Sequence, residues 1–394
     1  MKRLSKKTLL LAGAGHAHIG LLRRLSADRS KNNASNALID TDIHLISEQP
    51  HTLYSGMLPG WMAGHYQLDD ISIDTKSLCL RAGVRFIQQS ITKITAASNT
   101  VDTSGNERFD YDVLSLNTGA DTDLRGLSQA DDYKGNDNRD DMSNDLRNEV
   151  IAIRPLSTFT IQWQQILDDA RQSDQYRLAI VGAGAAATEL VMAAQVALQQ
   201  INGNHQVTLI CGENLLSGFV PSFRQRVIKQ LHRHGITMIE ARATAYRDGQ
   251  LSTSNDSFPV DAVIAATGVR GAAWTASTDL ETVDNGFVAV NSQQQSVSHP
   301  NVFAVGDVAT RVDQYVAHSG VHAVHGGAIE AGNLLAYLQG EALTEYQPRT
   351  RTLYLLSCGD KYAIGSWGRV SLQGRWVWYL KRQIDKRFVT SCAA

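Results

Sequence analysis

The chain has 394 residues, of which 43% are hydrophobic and 19% charged, with 31 glycines, 7 prolines and a formal net charge of −2. That length implies two or three units of roughly 100–200 residues, and the near-neutral balance excludes a global pull toward nucleic acid or an anionic membrane. Abundant glycine with scarce proline suits an α/β protein with many tight strand-to-helix turns.

A basic start precedes a short apolar run at 8–12 that breaks at Gly13, so a buried first strand is expected rather than a secretory signal. No run of about 20 apolar residues is present to cross a membrane. The pattern predicts a strand over 8–12, a turn at 13–15, a helix over 17–25 and a strand over 43–47, together a βαβ unit with a polar loop insertion at 27–37. Short strand-like runs follow over 84–103, then a buried strand at 113–116 ended by Asn117-Thr118-Gly119. The stretch 121–148 is rich in Asp, Asn, Gly and Ser and reads as a loop or disordered insertion, with a flexible acidic segment assigned to 126–149. The layout then repeats: strand 177–181, turn 182–184, helix 185–199, strand 206–210 and a buried strand 261–266 ending in Thr267-Gly268. Such repetition is an internal duplication of a dinucleotide-binding architecture. A strand runs into Gly306-Asp307, followed by a helix over 320–338, strands at 353–357 and 362–365, and a final helix over 375–388.

Three motifs carry chemistry. Gly13-Ala14-Gly15-His16-Ala17-His18 fits G-x-G, which permits a tight turn and brings a pyrophosphate to the positive end of a helix. Its third position is His18 rather than glycine, and a lone G-x-G fits a plain tight turn equally well. Glu48 ends the second strand, where a carboxylate binds ribose hydroxyls. The second motif, Gly182-Ala183-Gly184-Ala185-Ala186-Ala187, is a full G-x-G-x-x-A, but Cys211 stands where the ribose-binding acid is expected. Glu213 serving from two positions later, an NADPH site, a weak nicotinamide site and a vestigial unit are the alternatives. The third motif brings Val302 to Val305 into Gly306-Asp307 and sets a carboxylate at a strand's C-terminal edge, where it can bind a ribityl hydroxyl.

In this combination and order the chain resembles the pyridine nucleotide–disulfide reductase superfamily, flavoproteins with two dinucleotide domains. The resemblance implies FAD at Gly13, Gly15, Glu48 and Asp307, and NAD(P)H at Gly182 and Gly184, with His16, Ala17, His18, Asn117, Thr118, Gly119, Thr267, Gly268 and Gly306 among the cofactor contacts. The redox cysteine pair of the disulfide reductases would follow Glu48, and residues 50–60 hold no cysteine; Cys79, Cys211, Cys358 and Cys392 are all remote from one another. Dithiol relay chemistry is therefore not expected, sulfide:quinone chemistry fits poorly, and a reducing, cytoplasmic setting is the simpler reading. Residues 54–60 and 63–66, Gly15-His16-Ala17-His18, Arg154-Pro155-Leu156-Ser157, Gly374-Arg375-Trp376-Val377-Trp378 and Asp385-Lys386-Arg387-Phe388 resemble the flavin oxidoreductase module joined to selenide, water dikinase, itself similar to type II NADH dehydrogenases. With no kinase segment present, a free-standing version is expected.

Glu189, one turn into the second motif's helix, is expected to project toward the nicotinamide and flavin; the alternative is a carboxylate stabilised by the helix dipole. His318, His322 and His325, spaced i, i+4, i+7, are expected on one helical face; packing or flavin contact outweighs metal binding, and His318 is the catalytic candidate. Tyr54 and Met57 line the flavin face or belong to the core. The basic, amphipathic end of the chain packs on its own protein, meets a second subunit in a homodimer, or lies on the inner face of a membrane. The expected fold is α/β, with a discontinuous FAD domain (1–125 and 285–340), an NAD(P)H domain (150–284) and a C-terminal interface segment (341–394). The expected activity is hydride transfer from NAD(P)H to FAD, then electrons to a non-thiol acceptor such as a quinone. A flavin oxidase or reductase that does not use nicotinamide, and a flavin-bearing redox sensor, are the rivals.

Overall fold

The computed structural model describes residues 6–30, 41–127, 149–349 and 351–393. The acidic insertion expected over 126–149 lies almost wholly outside the described residues.

Two five-stranded parallel sheets organise the chain. The first is built from β1 (Lys7–Ala12), β2 (Thr41–Ile46), β3 (Arg85–Ile87), β4 (Val113–Leu116) and, far along the sequence, β10 (Val302–Ala304), in the spatial order β10-β4-β1-β2-β3. The second holds β5 (Val150–Ala152), β6 (Arg177–Val181), β7 (Gln206–Cys211), β8 (Thr237–Glu240) and β9 (Ala262–Ala265), in the order β5-β9-β6-β7-β8. The two orders are equivalent. In each unit the glycine-turn strand is central, two later strands extend one way, and the strand ending in Thr-Gly pairs on the other side.

The near-continuous apolar runs follow from burial of both faces, as parallel sheets require. Leu9 and Leu11 face one core while Leu10 and Ala12 face another. Leu178 and Ile180 share the first core, and Ala179 and Val181 face a third. The shared core is covered by α1 (His16–Ser30), α2 (Thr75–Ala82), α3 (Leu156–Arg171), α4 (Ala185–Ile201) and α5 (Pro221–Arg233). A three-stranded antiparallel meander caps the opposite face of each sheet, through Ile94 and Val101 in one unit and Tyr246 and Leu251 in the other. The duplication therefore extends to whole layers.

α6 (Gly320–Gln339) packs against α1 beside the first turn. The chain then forms an antiparallel sheet of β11 (Leu353–Ser357), β12 (Ala363–Trp367) and β13 (Val370–Gly374), and ends in α7 (Arg375–Ala393). α7 packs Val377 and Trp378 into the main core and reaches back to the first unit, where Arg81 donates to the Cys392 carbonyl.

Several elements depart from the sequence expectation. α1 continues to Ser30 and α7 to Ala393 because Val389 and Cys392 prolong the latter's buried stripe. β13 was not expected, since its apolar residues Val370 and Leu372 face outward. α6 begins at Gly320, where the helix was expected, with Ser319 extended at φ −152°. His318 is therefore not on the helix, and the expected single face of His318, His322 and His325 does not form.

Candidate functional site

The first turn is set by close packing with the end of β4. Gly13 has φ +87°, donates to the Ile46 carbonyl at 2.8 Å, and would place an added Cβ 2.5 Å from Thr118 Cα. At Gly15 an added Cβ would lie 2.6 Å from the Asn117 carbonyl oxygen. Both positions need glycine because backbone crosses backbone there. Asn117 is buried and bonded through both amide atoms: its Oδ1 accepts from the N–H groups of Ala17 (3.0 Å) and His18 (3.4 Å), and its Nδ2 donates to the Val305 carbonyl at 2.6 Å. It caps α1 and ties that helix to β10, and Ala17 packs into the space above Gly327.

His16 opens α1, with its ring 5.3 Å from Tyr54 and 6.0 Å from Phe388. Burial lowers its pKa, Asp307 opposes and Arg154 assists. Met57 is core, whereas Tyr54 is part-buried. Glu48 is exposed just past β2. Thr118 accepts from Trp274 Nε1 at 3.3 Å, and nothing crowds Gly119.

Asp307 follows the turn at Gly306, where φ is +77°. One carboxylate oxygen meets Arg154 at 2.7 Å; the other, Oδ1, is buried and has no hydrogen-bond partner among the described residues. A buried lone acceptor is unfavourable unless a donor reaches it, so the position fits a ligand hydroxyl. Asp307 shares a cavity of about 40 Å³ with Gly306, Gln294, His318, Ser319 and Tyr346. Gln294 Oε1 and Ser319 Oγ are likewise buried without partners among the described residues. His318 stacks on Phe287 with centroids 4.2 Å apart and lies 3.3 Å from Thr310 Oγ1. Burial lowers its pKa against the pull of Asp307, which keeps it neutral and able both to donate and to accept.

The second turn repeats the first. Gly182 has φ +151°, donates to the Ile210 carbonyl at 2.9 Å, and would place a Cβ 2.8 Å from the Ala266 carbonyl carbon. Gly184 precedes α4 and has open space where a Cβ would stand. Cys211 is 1% exposed, while Glu213, two positions further on, is exposed. Thr267 donates to the Asp123 carbonyl at 2.6 Å, next to a two-stranded ribbon, Asp121–Thr122 with Val269–Arg270, that joins the two units.

Between the turns lies a charged network. Glu189, on α4, accepts from the Ser357 N–H at 2.7 Å. Burial pushes its carboxyl up to about 7, with Lys381 opposing. Burial also opposes the charge on Lys381, but Asp385 and Glu189 outweigh it and its pKa is raised. Lys381 Nζ donates to the Gly56 carbonyl at 2.7 Å and to Asp385 at 2.9 Å, and the Tyr54 hydroxyl donates to Asp385 at 3.2 Å. Sequence reasoning placed Lys381 only among the basic residues of the amphipathic end, and Asp385 and Arg154 only within resembling motifs, with no site role for any of the three. The first two had a signal: Trp378, Lys381, Asp385, Val389 and Cys392 recur every three or four residues, which sets a Lys–Asp pair on the inward stripe of α7. Arg154 meets Asp307 only through the tertiary fold.

The sequence profile described as pyridine nucleotide-disulphide oxidoreductase matches residues 7–326. The type II NADH:quinone oxidoreductase of Staphylococcus haemolyticus is 21% identical over 409 residues, covering 98% of this chain and 95% of that protein. The glutathione reductase of Burkholderia cepacia is 34% identical over 148 residues, covering 35% of this chain and 31% of that protein. The match thus spans about a third of that relative. Among solved structures, NDH2 from Plasmodium falciparum in complex with NADH superposes with a TM-score of 0.78 at 12% identity, covering 98% of this chain and 96% of that one. The sulfide:quinone oxidoreductase of Aquifex aeolicus gives 0.77 at 18% identity, with 98% and 91% covered. At these identities the likeness is one of fold.

Proposed function

Since the chain belongs to the pyridine nucleotide-disulphide oxidoreductase family, we propose that it is an FAD-dependent NAD(P)H:acceptor oxidoreductase whose acceptor is a quinone. When bound, FAD supplies hydride acceptance from the nicotinamide and electron delivery to the second substrate. In this reading the unit of 1–125 and 285–340 holds FAD and that of 150–284 holds NAD(P)H. Gly13 and Gly15 admit the diphosphate to the N-terminus of α1. Asp307 Oδ1 takes a ribityl hydroxyl, Glu48 the adenosine ribose, and His318 borders the flavin end. Gly182 and Gly184 admit the nicotinamide cofactor's diphosphate to α4.

The observation that carries the reading is the Glu189–Lys381–Asp385–Tyr54 network. Quinone reduction consumes protons, and a carboxyl held near 7 is matched to delivering them at neutral pH. Lys381 supplies positive charge beside it, and Asp385 holds both Lys381 and the Tyr54 hydroxyl in place. All four cysteines are buried, and none of their thiols is activated by a lowered pKa, which favours a non-thiol acceptor.

The C-terminal face supports a lipid surface as the acceptor's source. Trp367, Val370, Leu372, Trp376, Tyr379 and Ile384 are all exposed, among Arg369, Arg375, Arg382 and Arg387. Among the described residues no helix is long and apolar enough to cross a membrane, so contact would be peripheral; a second subunit on this face is the other occupant.

An anaerobic titration with NADH and NADPH, followed by turnover with soluble quinone analogues, tests the whole reading. Bleaching of the flavin by either nucleotide and its reoxidation by quinone is the expected result. A second reading, a flavin oxidase that does not use nicotinamide, is favoured by the buried Cys211; it predicts flavin reducible by dithionite but by neither nucleotide.

A further inference from the structure

His18 stands where the first motif would carry its third glycine, and the proposed electron route makes no use of it. Its ring is wholly buried beneath the turn, with Nδ1 2.5 Å from the Gly13 carbonyl oxygen and Nε2 2.6 Å from Ser115 Oγ. Ser115 Oγ lies in turn 2.8 Å from Glu330 Oε1. Ser115 and Glu330 are 0% and 1% exposed. The three residues come from α1, β4 and α6, the elements that frame the first turn.

Counting hydrogens leaves few arrangements. A carbonyl only accepts, so His18 Nδ1 carries a proton and donates it. In a neutral imidazole Nε2 is then an acceptor, and Ser115 must donate its single hydroxyl proton to it. The Ser115 oxygen now offers Glu330 only lone pairs, so that contact is a hydrogen bond only if the carboxyl is protonated and donates. The other arrangement moves the same proton through Ser115 to give an imidazolium and a carboxylate. It separates two charges in a fully buried site, which desolvation disfavours. Burial acts the same way at both ends, pushing Glu330 up to about 8 and His18 down to about 4.

We infer that His18, Ser115 and Glu330 form a neutral hydrogen-bonded strap that replaces the third glycine and fixes the Gly13 turn for a dinucleotide diphosphate. The peptide following Gly13 is planar and trans, so its C=O and N–H point in opposite directions. With the Gly13 carbonyl pinned inward by His18, the Ala14 N–H turns outward to the open side of the turn, as a donor to phosphate. His18 and Glu330 are positioning residues, and the inference rests on the reading that this turn receives FAD.

Infrared spectra and FAD affinity together test it. The wild-type apoprotein at pH 7 is expected to show a protonated-carboxyl stretch that Glu330→Gln removes. Apoprotein titrated with FAD, read by flavin fluorescence, is expected to bind about 10-fold more weakly after Ser115→Ala. Glu330→Gln is expected to stay within about 3-fold of wild type, because its amide N–H donates to Ser115 in the same direction. No carboxyl band lost in Glu330→Gln, or a folded Ser115→Ala protein that binds FAD as wild type does, overturns the strap. Should Ser115→Ala fail to fold, the infrared band decides. A wild-type protein that binds no FAD would instead defeat the cofactor reading, and the band would still report on the strap.

Discussion

At the scale of single residues, a part-buried glutamate, Glu189, and a fully buried one, Glu330, have carboxyls raised toward neutral pH. Glu189 is raised to about 7 from an ordinary 4.5 and is the proton donor of the proposed reaction. Turnover with saturating quinone is therefore expected to fall as pH rises through about 7. Glu189→Gln should remove that dependence and lower turnover by about 100-fold, within the usual worth of a general acid, while flavin reduction by nucleotide persists in stopped flow. Glu330 concerns stability. Its folded pKa of about 8 exceeds its ordinary 4.5, so the folded state holds the proton more tightly. Its contribution is complete below about 4.5 and is lost as pH rises toward 8. Between pH 6 and 9 the melting temperature of wild type should decline more steeply than that of Glu330→Gln. An equal slope in the two proteins would show that Glu330 does not titrate in this window.

At the scale of elements, the sequence was most legible where one backbone constraint dominates. β1, β6 and the turns after them follow from apolar runs that end in obligatory glycines, and the runs are readable without knowledge of their neighbours. The role of Asn117 was not legible, because its caps on α1 and its bond to the Val305 carbonyl join residues about 100 and 188 positions apart. The same is true of Arg154 on Asp307 and of Ser115 between His18 and Glu330. α7 lay between these cases: its periodicity marked an amphipathic helix, but not which charges face inward. Its outward face, continued by β13, carries the lipid proposal. Trp376→Asp and Leu372→Asp together should abolish co-sedimentation with anionic vesicles while leaving turnover with a soluble quinone analogue unchanged. Unaltered sedimentation, or a shift only in oligomeric state, would assign the face to protein contact.

At the scale of the whole molecule, the duplicated architecture makes the two turns separable. Each is a glycine of positive φ pressed against the strand that ends in Thr-Gly, in sheets of equivalent order. An alanine at either position meets backbone in its way, and its left-handed conformation costs about 1–2 kcal/mol besides. If the first unit serves FAD and the second the nicotinamide, the consequences differ in kind. Gly13→Ala should give a protein that is purified colourless and cannot be reloaded. Gly182→Ala should remain yellow and dithionite-reducible, yet lose reduction by both nucleotides. The ribbon of Asp121–Thr122 with Val269–Arg270 and the crossing of α7 connect the units, so some loss of stability should accompany either change; circular dichroism separates that from loss of a site. Should Gly182→Ala be reduced by nucleotide as wild type is, the second turn is a structural copy of the first. The proton network around Glu189 would then have to serve a substrate that enters without it.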